Sequence, residues 1–284
     1  MLVETWKKSL RPGTILLTCC TVFVGCFMVL PLLWMVSSSL KLSGEVFEYP
    51  IRWIPRSFNW SNYPRVLFNS TLPMARFFIN SANVALLNVF GVVIVSALAA
   101  YAFARLEFRF KNMIFLVYLA TLMIPNQVLI IPKFLLFRTL GMFNTHLALI
   151  LPNICNVMGI FMLRQFFMGI PRDYSDAALI DGANHFQIWI RIIVPLSQSA
   201  VITLCVLSFI ASWNDYLNAL IFITSKSLYT IPVALHFLVD IDSGFPEYNL
   251  QMAAACCAVL PILLVFFASQ KMVIEGIGAG GLKG

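Results

Sequence analysis

At 284 residues, with 60% apolar and 11% charged side chains, this sequence lies outside the range of water-soluble domains, and its mean hydropathy of +0.88 makes lipid its natural solvent. In a chain of this hydropathy a net charge of +7 reads as cytoplasmic anchoring to anionic lipid and not as nucleic-acid binding. The seven cysteines (Cys19, Cys20, Cys26, Cys155, Cys205, Cys256 and Cys257) all fall in apolar runs as small, soft side chains, so no disulfide or metal framework is implied.

An unpaired ion at the centre of a bilayer is costly, so charge-free runs of about 20 residues mark candidate spans. Six exist: Ile15–Val36, Phe77–Ala104, Met113–Ile131, Thr139–Leu163, Ile192–Asn214 and Tyr248–Gln270. None alternates apolar with polar residues, so the expected class is all-α, a polytopic membrane protein of six transmembrane helices.

The first run follows Lys7, Lys8 and Arg11. It is too long for the apolar core of a secretory signal and is expected to stay as an uncleaved span. The connection Ser37–Arg76 is punctuated by Tyr49-Pro50, Trp53, Pro55, Trp60 and Tyr63-Pro64, which predicts an ordered cap. Its triplets Asn59-Trp60-Ser61 and Asn69-Ser70-Thr71 would matter only in a eukaryotic secretory pathway.

Polar residues inside a span are expected to face a wet cavity. In the third run Asn126 and Gln127 follow Pro125, which removes a backbone hydrogen bond and kinks the helix. In the fourth, Asn153 follows Pro152. The fifth ends at Asn214 and Asp215, the latter the one acidic residue deep in a span. Asp215 has three readings: glue between helices held by Trp213, Asn218 or a partner, a substrate contact, or a proton relay. The last would need a second relay residue that the sequence does not supply.

Between the fourth and fifth runs lies the richest polar segment, Arg164 to Arg191. Pro171 can begin a short helix, Asp173 or Ser175 can cap it, and Ala177, Ala178, Leu179 and Ile180 propagate it. Asp181-Gly182 then breaks it, and Asn184 can cap a second helix carrying Phe186, Ile188, Trp189, Ile192 and Ile193 toward Pro195. The product is a helical elbow beneath the membrane. One reading is an interfacial helix anchored by Trp189 and Phe186. The other is protein docking, with the adjacent alanines allowing close approach among Arg172, Asp176 and Asp181.

A seventh apolar run, Ser227–Val239, is too short to span, and the connection Ser225–Asn249 has room for a small helix and a tip at Asp242-Ser243-Gly244. Eleven of the nineteen Lys and Arg fall on the side of the termini, which favours cytoplasmic termini. His146, His185 and His236 are dispersed and make no metal site. HExxH, Gly-x-Ser-x-Gly and the phosphate-binding loop are absent from the sequence. Gly276, Gly278 and Gly281 match G-x-G-x-x-G with no strand before them, and read as part of a flexible tail.

The run DAALIDGANHFQIWIRIIVPL resembles the cytoplasmic signature loop of binding-protein-dependent ABC importer permeases, with Asp176, Ala177, Ala178, Gly182, Ile192 and Pro195 at the family's places. Asp176 stands where that family usually has glutamate, which keeps the charge and shortens the reach. SALAAYAFARLEF (Ser96–Phe108), LMIPNQVLIIP (Leu122–Pro132), SWNDYLNALIF (Ser212–Phe222) and the tail Gly276–Gly284 are similar to carbohydrate importers, specifically to the second, six-span permease of the maltose-type heterodimer.

The resemblance implies a type I ABC importer permease fold over a single transmembrane domain, residues 1–284. It has a cytoplasmic segment 1–14 and a core region 77–275 holding a coupling loop 164–195. It implies a non-enzymatic translocation subunit of the bacterial inner membrane that carries a sugar or oligosaccharide. Implied partners are a homologous second permease, a cytoplasmic ATPase dimer that holds ATP and Mg, and an extracytoplasmic sugar-binding protein reached by the Ser225–Asn249 loop; no cofactor is implied on this chain. Coupling would fall to Asp176, Ala177, Ala178, Asp181, Gly182 and Ala183, and the substrate path to Asn126, Gln127, Asn153, Asn214 and Asp215. An ion-coupled transporter or a channel is the competing class, disfavoured by the shortage of intramembrane acid-base pairs and of a filter-like glycine run.

Overall fold

The computed structural model describes residues 12–70, 73–239 and 247–281. Lys7, Lys8 and Arg11, most of the 1–14 segment, Thr71 of the second triplet, the Asp242-Ser243-Gly244 tip and the last three residues of the tail lie outside them.

In chain order the helices are α1 (Pro12–Ser39), α2 (Asn62–Leu67), α3 (Met74–Arg105), α4 (Lys111–Ala120), α5 (Ile130–Thr139), α6 (Leu147–Ile154) and α7 (Val157–Gly169). Then follow α8 (Asp173–Ile180), α9 (His185–Ile188), α10 (Gln198–Trp213), α11 (Leu217–Phe222), α12 (Ile231–Val239) and α13 (Tyr248–Gly281). Among the described residues four helices are long and apolar enough to cross a membrane, and the number rises to six when each of two bent pairs is taken as one span. The six-span expectation is met, with corrections at the edges.

The third span is broken and not merely kinked. Ile124 and Pro125 are extended, and the two halves, Lys111–Met123 and Asn126–Thr139, meet at 90°. The fourth helix starts at Leu147 and not at Thr139, because Gly141 (φ +69°) and Asn144 (φ +58°) turn the chain first. The fifth starts at Gln198 and not at Ile192, since an 82° bend around Ser197 leaves Ile192 and Ile193 in the elbow. Gly276 to Gly281 continue α13, so that part of the expected flexible tail is helical, with no strand before it.

Among the described residues, one compact unit joins 12–70 and 73 to 237–239 and 247–257. Here α1 exposes apolar side chains along its length, as a helix meant for lipid does. The expected cap is present and has a polar hub. Asn62 is fully buried, and its Nδ2 donates to the carbonyls of Ser39 (2.8 Å) and Lys41 (2.9 Å) while its Oδ1 accepts from Asn249 Nδ2 (3.2 Å). Lys41 is buried too, donating from Nζ to Arg52 O (2.6 Å) and lying 4.1 Å from the Trp34 ring centroid. Burial holds its ammonium below the ordinary lysine range, opposed by the Glu45 carboxylate.

The second unit, residues 74–236 and 258–281, is organised around α3. Met74, Phe77, Ser81, Val84, Asn88, Val92, Ser96 and Tyr101 recur at helical spacing on its buried face. Small residues allow close packing there: a Cβ on Gly159 of α7 would sit 2.9 Å from Ser96 Oγ and 2.8 Å from Leu204 Cδ1. The polar groups of α3 near its start tie down the 227–231 segment. Asn80 Nδ2 donates to Ser227 O (3.0 Å) and Tyr229 O (2.9 Å), and Ser81 Oγ accepts from Ile231 N (2.8 Å).

Candidate functional site: an elbow and a membrane cavity

The elbow follows the local chemistry of its sequence. Asp173 and Asp176 occupy the first turn of α8, where their charge meets the positive end of the helix dipole. Neither Asp173 nor Ser175 caps the helix through its side chain, contrary to expectation. Arg172 holds the cap position, and Ser175 Oγ is buried without a partner.

Gly182 has φ +83° and closes α8 with a paired turn: its own N–H reaches Leu179 O (3.1 Å), and the N–H of Ala183 reaches Ala178 O (2.9 Å). Asn184 then caps α9 reciprocally with Gln187, each side chain accepting from the other's backbone N–H at 2.9 and 2.8 Å.

The elbow's inner side is fused to the bundle. Ile188, Trp189 and Ile193 are buried against Ala97, Ala100, Tyr101 and Ala104 of α3 and Leu163 and Phe167 of α7. Trp189 is therefore a core side chain and not a headgroup anchor. The two adjacent alanines divide their roles, because neighbouring positions on a helix point about 100° apart. Ala178 packs against this cluster, as does Ala183, while Ala177 is exposed with Asp176, Asp181 and Gly182. The outer side also presents Tyr174, Leu179, Phe186 and Ile180, the last 87% exposed.

Two arginines bolt the base of the elbow to the spans. Arg105, the last residue of α3, donates from Nη2 to Phe167 O and Ile170 O, each at 2.6 Å. Arg164 of α7 donates in the other direction, from Nε to Phe103 O at 3.3 Å.

Deeper in the bundle lies a cavity of about 240 Å³ lined by Asn88, Asn153, Asn156, Ser208, Ala211, Ser212, Asp215 and Asn218. Two helix breaks border it. The first separates α6 from α7 at Cys155 and Asn156. Asn156 Oδ1 accepts from Gly159 N (2.7 Å), and Tyr118 OH donates to Cys155 O (3.1 Å). The second separates α10 from α11, where Asp215 accepts from Asn218 N (3.2 Å) and from Asn218 Nδ2 on both oxygens (3.0 Å each). Irregular backbone at membrane depth is tolerated where it lines such a space. Asn88 Nδ2 donates to Ser212 Oγ (3.2 Å), leaving Asn88 Oδ1 and Ser208 Oγ buried without a protein partner. Each unmet group costs about 1–3 kcal/mol, so the cavity favours an occupant that offers hydroxyls or water.

Of the five residues proposed for a substrate path, Asn153 and Asp215 line this cavity. Asn214 is exposed and turns back to donate to Ile210 O (3.0 Å), and Asn126 and Gln127 lie exposed in the turn after the break at Pro125. Asp215 is held by Asn218 on its own side of the break, whereas Trp213 Nε1 donates to Ala258 O (3.1 Å). Asn88, Asn156, Ser208 and Ser212 were missed from sequence. The available signal was an amide or hydroxyl inside a charge-free run, which many such residues share.

Comparisons agree with this architecture. The family described as binding-protein-dependent transport system inner membrane component matches residues 91–278. The trehalose transport system permease protein SugB of Mycobacterium tuberculosis is 35% identical, over 93% of this chain and 95% of that protein. The sulfoquinovosyl glycerol transport system permease protein SmoH of Agrobacterium fabrum is 34% identical, over 89% of this chain and 88% of that protein. Among solved structures, a bacterial ABC transporter involved in import of the acidic polysaccharide alginate superposes with a TM-score of 0.82 at 22% identity, covering 92% of this chain and 97% of that one, which establishes the shared fold. The chain belongs to the family of inner membrane components of binding-protein-dependent transport systems.

Proposed function

We propose that this chain is the membrane-spanning permease subunit of an ATP-driven importer that carries a sugar or oligosaccharide. The family match over residues 91–278 carries the reading. Its cargo class is supported by relatives named for the transport of trehalose and arabinooligosaccharides, and by a cavity whose amides and hydroxyls suit sugar hydroxyls. A carboxylate in that wall, Asp215, adds an acceptor for a sugar hydroxyl. Nothing among the described residues or in the comparisons favours an ion-coupled transporter or a channel instead.

In this reading the elbow within residues 164–195 docks on a cytoplasmic ATPase dimer through Asp176, Ala177, Asp181 and Gly182, with Ala178 and Ala183 fixing it to the spans. ATP and Mg are held by that ATPase. A homologous second permease completes the translocation path through the 77–275 core, and an extracytoplasmic binding protein delivers the cargo. Both termini lie in the cytoplasm. Because Arg105, Arg164 and the Trp189 cluster join the elbow to α3 and α7, a push on its outer face moves those helices as a body and changes access to the cavity.

Affinity purification of the full chain in detergent tests this directly. An ATPase and a second permease are expected in the eluate, and the reconstituted complex is expected to take up sugar only with ATP and binding protein. Solute flux by this chain alone, without ATP, would sink the reading.

A further inference from the structure

A second cavity is larger than the one among the spans. A space of about 450 Å³ opens at the elbow end of the bundle, walled by the loop after α3, the start of α4 and the end of α7. Its charged groups are Lys111, Arg164 and Arg172 against one carboxylate, Glu107. That carboxylate is shared, 3.3 Å from Lys111 Nζ and 3.6 Å from Arg172 Nη2. Three cations less one anion leave an excess of two positive charges on the wall. Arg164 is held in place by its bond to Phe103 O and by lying 4.2 Å from the Phe115 ring centroid.

The rim is apolar. Phe108, Phe110, Met113 and Met168 line the same cavity and are exposed. From Met113 the exposed face of α4 continues through Leu116, Val117 and Ala120, an apolar track of about 10 Å at 1.5 Å per residue. A cationic recess at the end of a span, opening onto an apolar helix face, matches an amphiphile with a phosphate on a long chain. An acidic peptide would satisfy the recess and leave the α4 face uncovered.

We propose that this cavity binds the phosphodiester headgroup of an anionic phospholipid, whose acyl chains lie along the exposed face of α4. The proposal needs only that the chain sits in a membrane. Lipid retention is read without transport, so it stands or falls separately from the importer reading.

Native mass spectrometry of the purified full chain tests it, with phosphatidylglycerol and phosphatidylcholine of identical acyl chains offered in equal amounts. The wild type is expected to retain phosphatidylglycerol preferentially. Lys111→Gln with Arg172→Gln is expected to weaken that preference about 30-fold, and Arg172→Gln alone, which removes only an exposed ion pair, about fivefold. Lys111→Arg with Arg172→Lys is expected to keep it. Equal retention of the two lipids, or an unchanged preference in Arg172→Gln, overturns the proposal. Displacement of the lipid by equimolar glycerol phosphate would mark a soluble-phosphate site and overturn it too. So would loss of phosphatidylglycerol from the chain when it is purified with its partner subunits, which would make the cavity a protein interface.

Discussion

The guanidinium of Arg105 closes the end of α7 through Ile170, whose carbonyl accepts from Nη2 at 2.6 Å. Ile170 lies beyond the last turn of α7, where carbonyls lack helical partners, so a cation from α3 stands in for the missing donors. The same nitrogen serves Phe167 O, and the chain leaves directly from this point into the elbow.

Arg105→Ala is therefore expected to lower the stability of the purified protein by roughly 2–3 kcal/mol, the range for losing hydrogen bonds to a charged donor. Arg105→Lys should recover part of it, since an ammonium offers a point charge and not a planar fork. Thermal unfolding in detergent measures both, and an Arg105→Ala midpoint equal to the wild type would remove the clamp from the account.

Gly182 has open space around the position of a Cβ, so its constraint lies in φ alone. An L-residue in the left-handed region costs about 1–2 kcal/mol, with asparagine the best tolerated. Gly182→Asn is expected to retain ATP-dependent uptake, and Gly182→Val to lose coupling between hydrolysis and uptake. Equal coupling in the two variants would show that the turn's geometry does not matter.

Asp215→Asn keeps an acceptor for the Asn218 N–H and removes the charge. Its folding and membrane level should match the wild type while uptake falls about tenfold, the factor for roughly 1.4 kcal/mol lost with one charged hydrogen bond. Wild-type uptake by this variant would reduce Asp215 to a local cap of α11.

Gly159 packs where any side chain meets Leu204, so Gly159→Val should destabilise by about 1–3 kcal/mol through overpacking. Leu204→Ala in the same protein frees the methyl that clashes first, and the double variant should recover stability beyond the sum of the single effects. Strict additivity in thermal unfolding would place the cost elsewhere.

The elbow was legible because its determinants are neighbours in sequence. Gly182 and Asn184 each act within about five residues, so a turn and a cap could be read before any packing was known. The elbow's outer face was only half legible. Ala177 and Ala178 read alike in sequence, and only the position of α3 and α7 assigns one outward and one inward. The boundaries of the fourth and fifth spans were misplaced for a related reason: absence of charge does not distinguish a spanning helix from a turn at Asn144 or a bend at Ser197.

Sequence alone determined the medium, the six-span class and the elbow's turn, since burying charge in lipid is costly and glycine's backbone freedom is a local property. Only the tertiary structure decided the cavity. Asn88, Asn156, Ser208 and Asn218 lie up to 130 residues apart, and nothing local announces that two helix breaks and one face of α3 will meet. Their convergence follows from the close approach of α3, α7 and α10, which small residues at the contacts permit and which no single segment encodes.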